Sequence, residues 1–418
     1  MPSSQQNCLV THLESPIDQS RHAFGEVHGV HLGRPLVVRY DLKRAKALLD
    51  RDEISGRKEG VWRWRELLPL PWDQAPVSLG EMATPILDCP RLGAAMGLDN
   101  LQVKDESTLP TGSFKSRGMT VAVSMAKWLG LNRLAAPTAG NAGGALAAYA
   151  ARGGMEAWVF MPGDTPVVNQ RECRLFGAKV FRVNGLIHEC GKLVRENAES
   201  MGWFDFSTLR EPYRLEGKKT MGLELAMQGN WKLPDAILYP TGGGTGLVGM
   251  WKAFAELQAL GWLEGKLPRL YACQSDGCAP ICKAYEAGQK HAETFHPAFT
   301  QASGLRVPAA VGDFMILEAV RQSGGKALAG DENQLKSWME KACGLEGISL
   351  CPETAICLDV LAKLRASGEV NPAERVLVWN TGAAQKYLEC LPDNLPSIDQ
   401  HQPLRPQLIH FMGNKPFK

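Results

Sequence analysis

Lys115 stands at a corner of the chain. Before it runs the turn Pro110-Thr111-Gly112, and after it comes an apolar stretch in which Met119, Val121, Val123 and Met125 alternate with small residues. Pro and Gly shape such a turn, and Ser113 is placed to cap the helix that follows. A lysine fixed at its base with a free amine suits a Schiff base better than a surface charge does. Taken alone, the position reads more simply as a solvated lysine in a first helical turn. Its chemical reading depends on partners elsewhere in the chain.

The strongest partner is Thr241-Gly242-Gly243-Gly244-Thr245-Gly246, which follows the apolar run 236–239 and opens a helical one. Consecutive glycines let backbone N–H groups converge on one anion, and the helix N-terminus adds a favourable dipole. No Gly-Lys-Ser/Thr follows, so this is not a P-loop. Gly217-Lys218-Lys219-Thr220 resembles one superficially but lacks the upstream glycine and strand. A dinucleotide fingerprint would occupy the first strand–helix unit, and Glu264 is poorly placed as its acidic partner. A ligand-free helix-start turn is the other reading; four glycines and two threonines in six residues favour a phosphate.

A phosphate cradle and a corner lysine together point to pyridoxal 5′-phosphate, an electron sink for carbanions beside an amino nitrogen. Lys115 would hold its aldehyde, and Thr241, Gly242, Gly243, Gly244 and Thr245 its phosphate. Thr138-Ala139-Gly140-Asn141-Ala142 is a further strand-to-helix turn. Its N–H groups would take a substrate carboxylate, with Ser113 nearby, and Asn141 would bond the cofactor's ring hydroxyl. A simple helix-starting turn explains the same residues if they are read alone. Thr381, in Asn380-Thr381-Gly382-Ala383, would face the ring nitrogen. A hydroxyl there does not force that nitrogen to stay protonated, which favours elimination and replacement over transamination.

The elements that must position these residues alternate. From about residue 100, strands are expected at 101–103, 134–138, 157–161, 179–183, 236–239, 270–274, 348–351 and 375–380. Helices are expected after Lys115 and at 145–151, 166–176, 187–201, 217–229, 246–259, 334–343 and 353–365. Such alternation means parallel sheets with helices on both faces. In these sheets ligands bind at the C-terminal strand ends. The Lys115 turn, 138–144, 241–246, 274–280 and 380–385 all fall there. Ahead of this core, 36–40 reads as a strand and 42–50 as a short helix. Trp62-Arg63-Trp64-Arg65 can stack on nucleic-acid bases, yet without a wider basic field it reads as a packing anchor.

The composition fits this picture. The chain has 418 residues, 44% of them hydrophobic and 22% charged, with a net charge of +2. That near-balance argues against nucleic acid and membrane surfaces as partners, and no apolar run is long enough for a membrane span. Residues 1–20 lack a signal-peptide apolar segment, so a cytoplasmic location is expected. The 11 cysteines include no Cys-x-x-Cys pair; Cys273, Cys278 and Cys282 lack zinc-ligand spacing, so reduced thiols and no metal are expected.

With these motifs in order, the chain resembles the fold type II pyridoxal-phosphate enzymes, and within them the threonine synthase family, over roughly residues 60 to 390. Trp62 to Pro69, Ser78-Leu79-Gly80-Glu81 with Thr84-Pro85, Pro110 to Gly118, Thr138 to Ala142, Thr241 to Gly246 and Thr381 carry the likeness. It implies a carbon–oxygen lyase that turns O-phospho-L-homoserine and water into threonine and phosphate, with Lys115 as Schiff-base lysine and a homodimer as the assembly. It also implies an N-terminal extension over 1–78, a catalytic core over 79–400 with a smaller mobile lobe at about 117–222, and a tail over 401–418. Ser116 stands where the family usually has Asp. The triple glycine and Glu216-Gly217-Lys218-Lys219-Thr220 are also reminiscent of dehydratases and ammonia-lyases acting on serine, threonine or a diamino acid. For the substrate's own phosphate, Asn169, Arg171, Ser303 and Arg306 are candidates.

Overall fold

The computed structural model describes residues 7–393 and 395–408, so the last part of the expected tail lies outside the described residues. The strands in chain order are β1 (Val10–Glu14), β2 (Arg21–His22), β3 (Val37–Tyr40), β4 (Ile86–Asp88), β5 (Asn100–Asp105), β6 (Arg133–Pro137) and β7 (Glu156–Pro162). They continue as β8 (Lys179–Val183), β9 (Phe204–Asp205), β10 (Ala236–Pro240), β11 (Arg269–Ser275), β12 (Ala327–Gly330) and β13 (Arg375–Asn380). The larger sheet has six strands in the order β12-β11-β10-β13-β5-β4, parallel except for β4 against β5. The smaller sheet, β8-β7-β6-β9, is parallel throughout. Every residue of β10 is buried, as a strand covered by helices on both faces requires.

Three helices pack in a row, and the first and third begin at the Lys115 corner and the glycine loop. Lys115–Trp128 packs against Tyr213–Gln228, which in turn packs against Thr245–Leu260. Glycine allows the close crossings. A Cβ on Gly217 would lie 2.0 Å from the Arg117 carbonyl oxygen, so these helices approach at backbone contact. The N-terminal strands β2-β1-β3 form an antiparallel sheet on the core. From this region Arg34 reaches across to Asp313 at 2.8 Å. The Trp/Arg stretch is a short 3₁₀ helix, Val61–Leu67; Trp64 is buried and the Trp62 indole donates to Thr120 at 3.0 Å. It packs, as expected.

Several local expectations change. Ser113 does not cap the helix. Its backbone is extended and bridges to Gly382, and its hydroxyl has no partner. The helix starts unassisted at Lys115. Asn141 already belongs to a helix, Asn141–Gly153, that begins four residues before the expected 145. Pro166 lies just outside the helix Val167–Leu175. The helix expected at 187–201 breaks at Asn197 into Ile187–Glu196 and Ala198–Met201. Residues 348–351 are not a strand. The Asn380 side chain takes the Cys351 N–H and donates to the Ser349 carbonyl, replacing a ladder with side-chain bonds. The edge strand is β12 instead, too short and small-residued to stand out. No helix among the described residues is long and apolar enough to cross a membrane. All 11 cysteines are free thiols.

Candidate active site

The Lys115 corner is held by backbone bonds to the end of β13. Phe114 N–H donates to the Thr381 carbonyl at 3.0 Å, and Ala383 N–H to the Gly112 carbonyl at 3.0 Å. Thr111 and Gly112 both lie in the left-handed region, at φ 61° and 62°, so the turn is tight. Above it opens a cavity of about 390 Å³ lined by Lys115, Thr138, Ala139, Gly140, Asn141, Ala142, Gly242, Gly243, Gly244, Thr245 and Thr381. Four separate segments of the sequence thus meet at one place.

Lys115 has no carboxylate within ion-pair range among the described residues, and its Nζ sits 4.1 Å from the centre of the Phe114 ring. Burial, reinforced by the Arg214 guanidinium, lowers its pKa to about 8; Glu353 and Cys351 act weakly the other way. Such an amine is part free base near neutral pH, which a carbonyl-capturing lysine needs.

The glycine loop is a true concavity. Gly244 has φ +73°, and a Cβ there would lie 2.2 Å from Ile316 Cδ1. A Cβ on Gly242 would lie 2.3 Å from the Gly304 carbonyl oxygen. Only glycine keeps these N–H groups at the cavity wall, where the helix Thr245–Leu260 begins. Thr241 stands behind the lining, its hydroxyl donating to the Tyr239 carbonyl at 2.9 Å. The expected fifth loop, 274–280, does not reach the cavity. Gln274 braces it from behind, donating to the Thr241 carbonyl at 3.0 Å while its oxygen accepts from Ile281 N–H at 2.8 Å.

In the 138–142 turn, the Thr138 hydroxyl accepts from Gly140 and Gly143 N–H at 3.1 and 3.0 Å and donates to the Gly140 carbonyl. It shapes the loop and has nothing left for a ligand. The helix-start N–H groups of Asn141 and Ala142 face the cavity instead. Asn141 donates to the Tyr387 hydroxyl at 2.8 Å, and its carboxamide oxygen is buried without a partner. Thr381 holds its hydroxyl 3.5 Å from Cys351 Sγ. Ser113 lies behind the cavity wall, bridged to Gly382. Among the phosphate candidates, Ser303 lines the cavity with an unpartnered hydroxyl, and Asn169 is buried beside it. Arg306 is already paired with Asp164 at 2.7 Å, and Arg171 is exposed to solvent.

Glu353, Tyr387 and the basic pair Arg195 and Arg210 also line the cavity, and none of them stood out in the sequence. Glu353 accepts from Gly304 N–H at 2.9 Å through one oxygen and leaves the other buried and unpartnered. Its place directly after Pro352, at a helix start, was the only signal available. A lysine without a counter-charge, a glycine-walled anion cradle at a helix N-terminus and orphaned polar atoms facing the same space together fit pyridoxal 5′-phosphate.

The family model for pyridoxal-phosphate dependent enzymes matches residues 77–382. A threonine synthase of Methanosarcina acetivorans is 34% identical over 348 residues, covering 83% of this chain and 84% of that protein. A threonine synthase of Methanocaldococcus jannaschii is 32% identical, with 86% and 89% covered. Among solved structures, diaminopropionate ammonia lyase from Escherichia coli superposes with TM-score 0.64 at 18% identity, covering 75% of this chain and 88% of that one. The processed form of threonine deaminase isoform 2 from Solanum lycopersicum superposes with TM-score 0.60 at 21% identity, with 74% and 87% covered. At these identities the structural likenesses establish the fold.

Proposed function

The chain belongs to the pyridoxal-phosphate dependent enzymes, and from that membership we propose that it works as a threonine synthase, converting O-phospho-L-homoserine and water to L-threonine and phosphate. The carrying observation is the single cavity in which Lys115, the 138–142 turn, the glycine loop and Thr381 meet. Bound pyridoxal phosphate supplies the electron sink for a carbanion beside the substrate's amino nitrogen.

The chain's own residues divide the remaining work. Gly242, Gly243, Gly244 and Thr245 anchor the cofactor phosphate, with Thr241 and Gln274 bracing the loop from behind. The open N–H groups at Asn141 and Ala142 orient the substrate carboxylate. Asn141 offers its carboxamide to the ring hydroxyl. Lys115, whose free amine has a pKa that burial lowers to about 8, would take and return protons at Nζ. Thr381 would offer the ring nitrogen a neutral hydroxyl, which suits elimination and replacement. Closing the part of the lobe at about 117–222 that carries the smaller sheet, with the helices Lys115–Trp128 and Tyr213–Gln228 staying on the core, would exclude water until the addition step. A homodimer in the cytoplasm is the working form we favour; the free thiols agree with a reducing compartment.

A product assay tests the substrate. Phosphate and threonine appearing together from phosphohomoserine support the proposal. Keto acid and ammonia from threonine, serine or diaminopropionate, with phosphohomoserine untouched, replace it with the dehydratase or ammonia-lyase reading that the triple glycine invites.

A further inference from the structure

Lys218 belongs to the Gly217-Lys218-Lys219-Thr220 run, which is no phosphate loop but the interior of the helix Tyr213–Gln228. Its side chain is fully buried. The adjoining Lys219 pairs with Glu216 at 2.8 Å and Glu256 at 2.9 Å, as a buried lysine ordinarily must. Lys218 has no carboxylate within ion-pair range among the described residues. Its Nζ donates to the carbonyl of Phe114, the residue before Lys115, and rests 3.9 Å from the centre of the Phe114 ring. Lys115 Nζ lies against that same ring. A Cβ on Gly118 would come 3.0 Å from the Lys218 stem, and one on Gly249 2.8 Å from its Cβ, so neighbours on two helices confine it.

The charges around Lys218 are mostly of its own sign. Lys115 and Arg117 face it from the Lys115 helix, and Arg214 lies one turn back on its own helix. The acid that acts most on it is Glu106, and Arg117 occupies both carboxylate oxygens of that residue at 2.6 and 2.9 Å. Tyr239, from β10, meets Phe114 edge-on and is kept protonated by burial. Lys115 in turn is faced by Arg214, Glu353 and Cys351. Burial, then the neighbouring Lys115, hold the Lys218 amine far below its ordinary range.

We propose that Lys218 is a positioning residue for Lys115: an uncharged amine that clamps the Phe114 carbonyl and ring, so that the catalytic lysine's base is fixed without a second positive charge beside it. This rests on cofactor capture at Lys115 and not on which amino acid is the substrate. It can therefore fail or hold independently of the threonine synthase reading.

The test follows pyridoxal 5′-phosphate uptake by cofactor-stripped protein, read as the growth of visible absorbance against pH. Borohydride reduction and mass spectrometry confirm that Lys115 is the site. Lys218→Met removes the clamp but no charge. The pH midpoint of uptake should stay where it is, and the plateau rate should fall about tenfold as Phe114 loosens. Lys218→Gln, whose amide can still donate to the Phe114 carbonyl, should recover most of that rate at the same midpoint. Either variant alone decides the charge state if the other does not fold. A midpoint raised by about one unit means Lys218 was a cation, and the proposal falls. A plateau unchanged in Lys218→Met overturns the positioning role.

Discussion

Two groups of basic side chains meet around the first turn of the Lys115 helix, and they are built oppositely. Arg117 and Lys104 are closed by acids. Arg117 binds Glu106 and Glu224 through four contacts of 2.6 to 2.9 Å, and Lys104 binds Glu224 at 2.6 Å, with Thr84 and Gln228 taking its other hydrogens. Lys115 and Lys218 are given an aromatic ring and each other's company, with no carboxylate in ion-pair range among the described residues. The closed cluster fixes two helices and β5 with charges fully compensated. The open pair spends stability to keep an amine reactive. Charge balance, more than burial, separates scaffold from chemistry here.

The comparison breaks most sharply at Lys115. Lys115→Ala should abolish borohydride-fixed cofactor and cut activity on the order of 10³-fold or more. The melting temperature of the cofactor-free protein should hold or rise, because an uncompensated cation is lost. A large drop in that melting temperature would show that Lys115 is structural. On the closed side, Glu224→Gln leaves Lys104 without its carboxylate and Arg117 with Glu106 alone, and should cost about 3–5 kcal/mol in urea unfolding. A cost under about 1 kcal/mol would dissolve the contrast.

A pH series sharpens it further. Lys115 titrates at about 8 when folded against 10.5 ordinarily. Between those values the unfolded chain binds more protons, so the stability of the cofactor-free protein should climb as pH rises through that window. In Lys115→Met this part of the climb should vanish, and identical profiles for the two proteins would refute the shifted lysine. The smallest effect is expected at Ser116, which lies between the two clusters. Its hydroxyl donates to the Pro110 carbonyl and approaches Thr111. Ser116→Ala should cost about 1 kcal/mol and leave the pH midpoint of cofactor uptake unmoved, since it deletes a turn bond and no charge.

Much of the scaffold was legible because parallel strands announce themselves as short apolar runs: 236–239 and 375–380 became β10 and β13 almost residue for residue. The glycine loop was legible because its demand for positive φ and absent side chains is written in residue type. Other features were not. β12 is only four residues, three of them small, and 348–351 looks like a strand until the Asn380 side chain claims its backbone. Ser113 has a cap's composition but a bridge's backbone. Glu353 and Lys218 acquire meaning only from neighbours distant in sequence, and no local pattern distinguishes Lys218 from the well-paired Lys219 beside it.

The two backbone bonds that join 112–114 to 381–383 also bear on biogenesis. They tie the lysine corner to a segment made roughly 270 residues later, and elements generally fold as their partners emerge. A nascent chain that has translated Lys115, the 138–142 turn and the glycine loop still lacks the strand against which the corner is sewn. Cofactor capture is therefore expected only after β13 has slotted between β10 and β5. Visible absorbance, followed during synthesis or refolding, becomes a clock for the closing of the large sheet.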